Sequence, residues 1–257
     1  MTNRDILLFM AQIENRIDLY EEAIANIKQI IAQDPNLSIE ERELLVACYK
    51  GLERKYFTSW SLIKNNFFLS QESDPDRYKK VEEYSQRIAN EFYSLCYDLI
   101  SLIDITLLPV ANDPYSILYY EKTKGDFYFY LARLMDGNDR KIKSNAASEC
   151  YKRAIEIGEE QIKEHISNIN NRLYLSLVLN YSVFLYEIEG ARTEAINFTE
   201  EIIKRANDYF KSEHFDDCCN PTCDSSALNM MRDNLCIWIQ EKEKENINDF
   251  FQKLIEK

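Results

Sequence analysis

YSQRIANEFYSLCYDLISL, residues 84–102, decides the fold class. Its apolar positions Tyr84, Ile88, Phe92, Leu95, Leu99 and Leu102 recur at separations of three and four, the period of an amphipathic helix and not of a strand. The segment predicts a helix over 76–108, stopped by Pro109. Asp34-Pro35, Asp74-Pro75 and Asp113-Pro114 each set a capping-type residue before one that cannot continue a helix. Ser38 and Glu41 form a capping box ahead of a second long periodic run. Gly137 and Gly190 lie between further runs and read as helix stops. The resulting helices are 3–16, 20–33, 39–68, 76–108, 114–136, 140–164, 170–189, 192–211 and 225–240. Short connections make consecutive helices antiparallel. The fold class is all-α, with a main helical domain at 1–240 and an amphipathic extension at 241–257. SECYKRAIEIGEE (148–160) has the texture of a tetratricopeptide helix, but the chain shows no repeat of about 34 residues.

Five glycines and five prolines in 257 residues are too few for a glycine-loop nucleotide fold or a β-sandwich. The formal net charge of −13 argues against nucleic acid and against a basic membrane-facing surface. It suits a basic ligand, or a phosphosite within a basic motif. MTNRDILLFMAQIENR at the start carries Arg4, Asp5 and Glu14 with no cleavage signature, and no apolar run reads as a membrane span. The seven cysteines are odd in number and scattered, unlike a secreted disulfide framework. The expected location is the cytoplasm. HFDDCCNPTC gathers His214, Cys218, Cys219 and Cys223, but their separations match paired metal ligands poorly. Reduced, exposed thiols are the simpler reading, and neither a metal nor a cofactor is expected. No nucleophile or paired-carboxylate arrangement accompanies the two histidines, His165 and His214, so no enzyme is expected.

KGDFYFYLARL, residues 124–134, poses a sharper question. Phe127, Tyr128, Phe129 and Tyr130 are consecutive, and helical neighbours are about 100° apart. At least one of them must point away from the main core.

Four blocks resemble the 14-3-3 family of phosphopeptide adaptors: RELLVACYKGLERKYFTSW (42–60), YYEKTKGDFYFYLA (119–132), LVLNYSVFLYEI (177–188) and MMRDNLCIW (230–238). They stand in family order with family-like spacing over roughly residues 3–240. The resemblance implies a cup of nine antiparallel helices that pairs into a dimer. Each cup would bind an extended phosphoserine or phosphothreonine peptide of a partner protein in an amphipathic groove. It implies a phosphate site made of a lysine, two arginines and a tyrosine. The lysine matches Lys50 and the tyrosine Tyr130. The backbone-holding asparagines match Asn180 and Asn234. Leu179, Val183, Glu187 and Trp238 stand at groove positions, Lys122 matches a groove-lining lysine, and Met230 replaces a usual leucine. Phe57 and Phe129 replace the two arginines.

Phe129 is therefore the aromatic expected to face the groove, and the two phenylalanines should converge on one pocket. Arg54, three residues before Phe57, and Arg133, four after Phe129, are displaced by a turn each in opposite directions. That places them roughly 10 Å further apart, too far to clamp one phosphate together, although one could reach a phosphate singly. Two functions follow. In one, an adaptor binds peptides with weakened phosphate recognition. In the other, a structural or regulatory subunit acts mainly by pairing with another 14-3-3 chain, its own groove idle or self-occupied.

For pairing as a homo- or heterodimer, Ile13, Ile17, Tyr84 and Ile88 supply an apolar surface. Glu22 with Arg87 matches a family inter-subunit ion pair. Leu19 replaces the arginine of a second pair and deprives Glu91 of that partner. At the C-terminus, Ile247, Phe250, Phe251, Leu254 and Ile255 form a stripe that predicts an added or continuing helix.

Overall fold

The computed structural model describes residues 2–67, 74–164, 171–211 and 226–255, with side chains excluded at 66–67, 210–211 and 246–255. Among the described residues there are nine α-helices and no strand. They are α1 (Asn3–Arg16), α2 (Tyr20–Gln33), α3 (Ile39–Phe67), α4 (Pro75–Leu102), α5 (Pro114–Leu134), α6 (Gly137–Glu164), α7 (Arg172–Glu187), α8 (Arg192–Lys211) and α9 (Ser226–Ile255). The all-α expectation holds.

The local signals act as their chemistry requires. Thr2 caps α1 in a reciprocal box with Asp5. Asp74 accepts from the Arg77 amide at 3.1 Å and Asp113 from the Ser116 amide at 2.8 Å. The Ser38–Glu41 box closes α3, with amide-to-side-chain distances of 2.8 and 3.2 Å. Asp34 instead ends α2, where its carboxylate takes the Asn36 amide. The helix expected over 76–108 stops being regular at Leu102. It continues as a π-turn over Ile103–Leu107 and a 3₁₀ turn over Leu108–Val110.

The chain forms two compact units, Met1–Asp136 and Gly137–Lys257. In the first, α1–α5 enclose a core in which Tyr49, Phe92, Leu99, Ile103, Phe127 and Leu131 are fully buried. The buried face of α4 runs through Ser85, Ile88, Ala89, Phe92, Cys96, Leu99 and Ile100, so the apolar stripe is rotated from its sequence reading. Tyr84 sits at its exposed edge and Leu95 is half-buried. In the second unit, Tyr151 on α6, Tyr181 and Phe184 on α7, and Phe198 on α8 form one aromatic cluster with centroids 5.5–6.2 Å apart. Glu159 joins three helices there, accepting both guanidinium nitrogens of Arg205 at 2.8 Å and the Tyr174 hydroxyl.

The stretch Pro75–Val110 contains an 18-residue window, of mean hydropathy 1.4, that would suffice by length and composition alone to cross a membrane. Its acids are nevertheless used inside the first unit. Asp98 pairs with Lys28 at 2.7 Å and accepts from Tyr49, and Asp104 pairs with Lys124 at 2.6 Å. The stretch packs one face into the core of that unit.

Gly51 on α3 marks a close approach. A Cβ there would lie 2.5 Å from the ring of Tyr20 on α2. We expect Gly51→Ala to lower unfolding stability by about 1–3 kcal/mol, the usual cost of overpacking. In a Tyr20→Ala background the same change should be neutral or stabilising, since alanine is the better helix former by about 1 kcal/mol. Urea unfolding of the four proteins checks the cycle.

Candidate functional site

The first unit holds a charged candidate site, built between α3 and α5. Three tiers of contact join these helices. At the first, the Arg42 guanidinium donates to Ser116 and lies 5.1 Å from the Tyr119 ring centroid. At the second, Tyr49 meets Phe127 edge-on at 6.3 Å and Lys50 reaches Asp126 at 2.8 Å. At the third, Phe57 and Phe129 are bridged by Arg133, whose guanidinium carbon is 4.7 and 5.7 Å from their centroids. Numbers rise together along both helices, so α3 and α5 run parallel.

Asp126 is fully buried and accepts from two ammonium groups, Lys50 at 2.8 Å and Lys122 at 2.9 Å. Burial opposes the charge of Lys50, but Asp126 and the neighbouring Tyr130 outweigh it and its affinity for a proton is raised. Lys122 is more enclosed, and there burial wins over Asp126 and lowers the ammonium's pKa. The Tyr130 hydroxyl is pushed well above its usual range by burial, against the pull of Lys50. Glu53 is half-buried on α3, and burial raises its carboxyl above the ordinary value while Arg133, Lys50 and Arg54 oppose that shift.

The four consecutive aromatics divide as helical geometry demands. Phe127 is in the core at 0 % exposure, with Tyr128 and Tyr130 packed against it. Phe129 is 6 % exposed, with its ring 6.0 Å from Tyr130 and under Arg133. Phe57 is half-buried beside Trp60. The structure thus brings the two phenylalanines together around one cation. It also revises the expected displacement of Arg133. Side chains on a helix lean toward its N-terminus, so Arg133 reaches back over the turn that carries Phe129. Arg54 is exposed and lies in the field of Tyr20 on α2 as well as that of Glu53.

In the second unit, Leu179, Asn180 and Val183 are half-buried and Glu187 is exposed along one side of α7, opposite the core face of Val178, Tyr181 and Phe184. On α9, Met230 is 46 % exposed, Asn234 is half-buried and Trp238 is buried. The Trp238 ring stacks on Tyr186 at 4.6 Å and 10°. Tyr186 donates to Glu241, and Arg192 pairs with Glu245. These contacts tie α9 beyond residue 240, where the helix continues unbroken to Ile255. The side chains of the 247–255 stripe lie outside the described residues, as do His165, His214, Cys218, Cys219 and Cys223. Among the described residues no cluster fit to hold a metal occurs.

Of the residues named for pairing, Ile13, Ile17, Leu19 and Tyr84 are exposed, together with Ile6, Phe9 and Met10. Ile88 is not available, because it is buried in its own unit. Glu91 does not lack a partner. Arg87 reaches it within α4 at 3.9 Å while lying over the Tyr84 ring. Glu22 is exposed.

Sequence reasoning missed Asp126, Glu53 and Tyr186. The first two had a signal, since KTKGD and GLERK put charges inside apolar, aromatic runs, but the pattern does not say which charge is buried.

The first unit presents a buried lysine–carboxylate cluster, and the second an asparagine-bearing helix face. The 14-3-3 protein family model matches residues 10–239, and the chain belongs to that family. It is 29 % identical over 236 residues to a 14-3-3 protein homolog of Trichoderma harzianum, covering 90 % of this chain and 86 % of that one. It is likewise 29 % identical over 246 residues to protein BMH1 of Saccharomyces cerevisiae, covering 93 % and 88 %. The checkpoint signal transducer rad25 of Schizosaccharomyces pombe is 28 % identical over 245 residues, covering 94 % and 87 %. The family's members are non-enzymatic adaptors that bind protein partners.

We expect Asp126→Ala to destabilise the protein by about 3–5 kcal/mol, because it leaves two ammonium groups without their buried counter-charge. Lys122→Met should cost less, since Asp126 keeps Lys50. Denaturant unfolding of both variants measures the difference.

Proposed function

We propose that the chain is a 14-3-3-type adaptor that binds extended partner peptides through Lys50, Tyr130, Asn180 and Asn234. Leu179, Val183, Met230 and Trp238 form an apolar wall, with Lys122 and Glu187 at groove positions. Phosphate recognition is weakened because Phe57 and Phe129 replace two arginines. The observation that supports this reading is the third tier of α3–α5 contacts, where two rings and one guanidinium meet at the positions that the resemblance assigns to two arginines. Family membership supports soluble, cytoplasmic action.

Two arginines would give a phosphate dianion bidentate, charge-assisted hydrogen bonds of about 1.5–3 kcal/mol each, which are not additive. Their loss costs on the order of 3–6 kcal/mol, roughly a hundred- to ten-thousand-fold in affinity. The rings also disfavour a dianion, since burial beside them removes water without returning a donor. They suit an apolar or aromatic peptide side chain instead.

We expect weak or absent binding of standard phosphoserine peptides and partial rescue by Phe57→Arg with Phe129→Arg. The rescue is partial because Arg133 then loses both rings. Titrations of both forms at one salt concentration test this, and tight phosphate-dependent binding by the unmodified protein would contradict it.

A second reading, a subunit working chiefly by dimerising with another 14-3-3 chain, draws on the exposed Ile6, Phe9, Met10, Ile13 and Ile17 of α1. Replacement of an arginine by Leu19 removes a rim pair, and such pairs are worth about 0–1 kcal/mol. A weakened dimer is expected, and light scattering that shows a pure monomer at micromolar concentration would exclude it.

A further inference from the structure

We infer that Arg133, seated on the faces of Phe57 and Phe129, is the group through which this chain contacts the phosphoryl oxygens of a peptide, with Lys50 and Tyr130 as neighbours. The inference rests on the peptide-binding reading above and assigns the phosphate contact to a residue outside the family's four-residue site.

A free arginine side chain is long and rotamer-rich, and ordering it for one ligand is costly. Here the cost is met within the fold. The guanidinium lies 4.7 Å from one ring centroid and 5.7 Å from the other, both within cation–π range. Ring faces attract the flat side of a guanidinium, and its N–H donors lie in the plane, where they engage oxygen. Two rings therefore orient the cation. The substitutions that removed two arginines created the seat for a third.

Lys50 adds a second positive group, fixed by Asp126 at 2.8 Å. Glu53 is the internal competitor. It is half-buried in the field of Arg133, Lys50 and Arg54, so it draws on the same cations that a phosphate would use. One guanidinium with a carboxylate competitor holds a dianion far less firmly than two arginines, in keeping with weakened recognition. It still separates phosphoserine from serine.

The test uses the full chain and three degenerate peptide pools with a central phosphoserine, serine or glutamate. The unmodified protein should prefer the phosphoserine pool over the serine pool. Arg133→Ala should lower that preference by roughly tenfold, the size of one charge-assisted hydrogen bond, while binding of the serine pool persists. Phe57→Leu should lower it less, and Glu53→Gln should raise it a few-fold, a gain that damage to the fold would not produce. A preference untouched by Arg133→Ala but lost in Lys50→Ala would overturn the inference. So would a glutamate pool bound as well as phosphoserine. If no pool binds, the peptide-binding reading fails on its own, and titration with phenyl phosphate followed at the Arg133 Nε–H resonance decides the anion site. A saturable shift supports it, and an unmoved resonance rejects it.

Discussion

A buried carboxylate organises the first unit. Asp126 has no contact with solvent, and a bare charge there would cost many kilocalories per mole. Ammonium groups from two directions make it tolerable, Lys50 on α3 and Lys122 one turn back on α5. Because Lys50 and Asp126 belong to different helices, the pair also fixes their register. Tyr49 and Phe127, the residues next to them, then meet edge-on in the core. Phe57, two turns further along α3, arrives beside Phe129 and Arg133. A slip of one turn would lose all three tiers together.

That register explains why two phenylalanines far apart in sequence act as one. Phe57 and Phe129 make apolar walls, and a nearby arginine whose side chain leans backward lies over both rings. The result is a site in which one cation is held between two aromatic faces. Its local balance sets it apart from the strongly acidic chain around it, whose formal net charge is −13. The helix α9 shows a comparable economy in the second unit, where Tyr186 serves both as a stacking surface for Trp238 and as a donor to Glu241.

Much of the fold was legible because helical periodicity and capping chemistry are local. Asp74, Asp113 and the Ser38–Glu41 box could be placed from neighbours a few residues away. The phase of the α4 stripe was harder, since Tyr84 and Ile88 look equivalent by hydropathy and only packing tells the exposed one from the buried one. The run EKEKEN lies beyond the expected end of the ninth helix at 240, yet its glutamates and lysines are strong helix formers and α9 passes through it. In the candidate site, Lys50, Phe57, Phe129 and Tyr130 were recognisable by resemblance. Asp126 was not, and Arg133 was placed a turn away from Phe129, because nothing local reveals that a charged residue on a helix is buried or stacked.

The most direct test of this account is a crystal structure of the chain with a phosphoserine peptide. It should find Lys50 still on Asp126, the rings of Phe57 and Phe129 beneath the Arg133 guanidinium, and phosphoryl oxygens within hydrogen-bond distance of that guanidinium. A phosphate bound elsewhere, or an Arg133 side chain swung off both rings with the peptide in place, would contradict it.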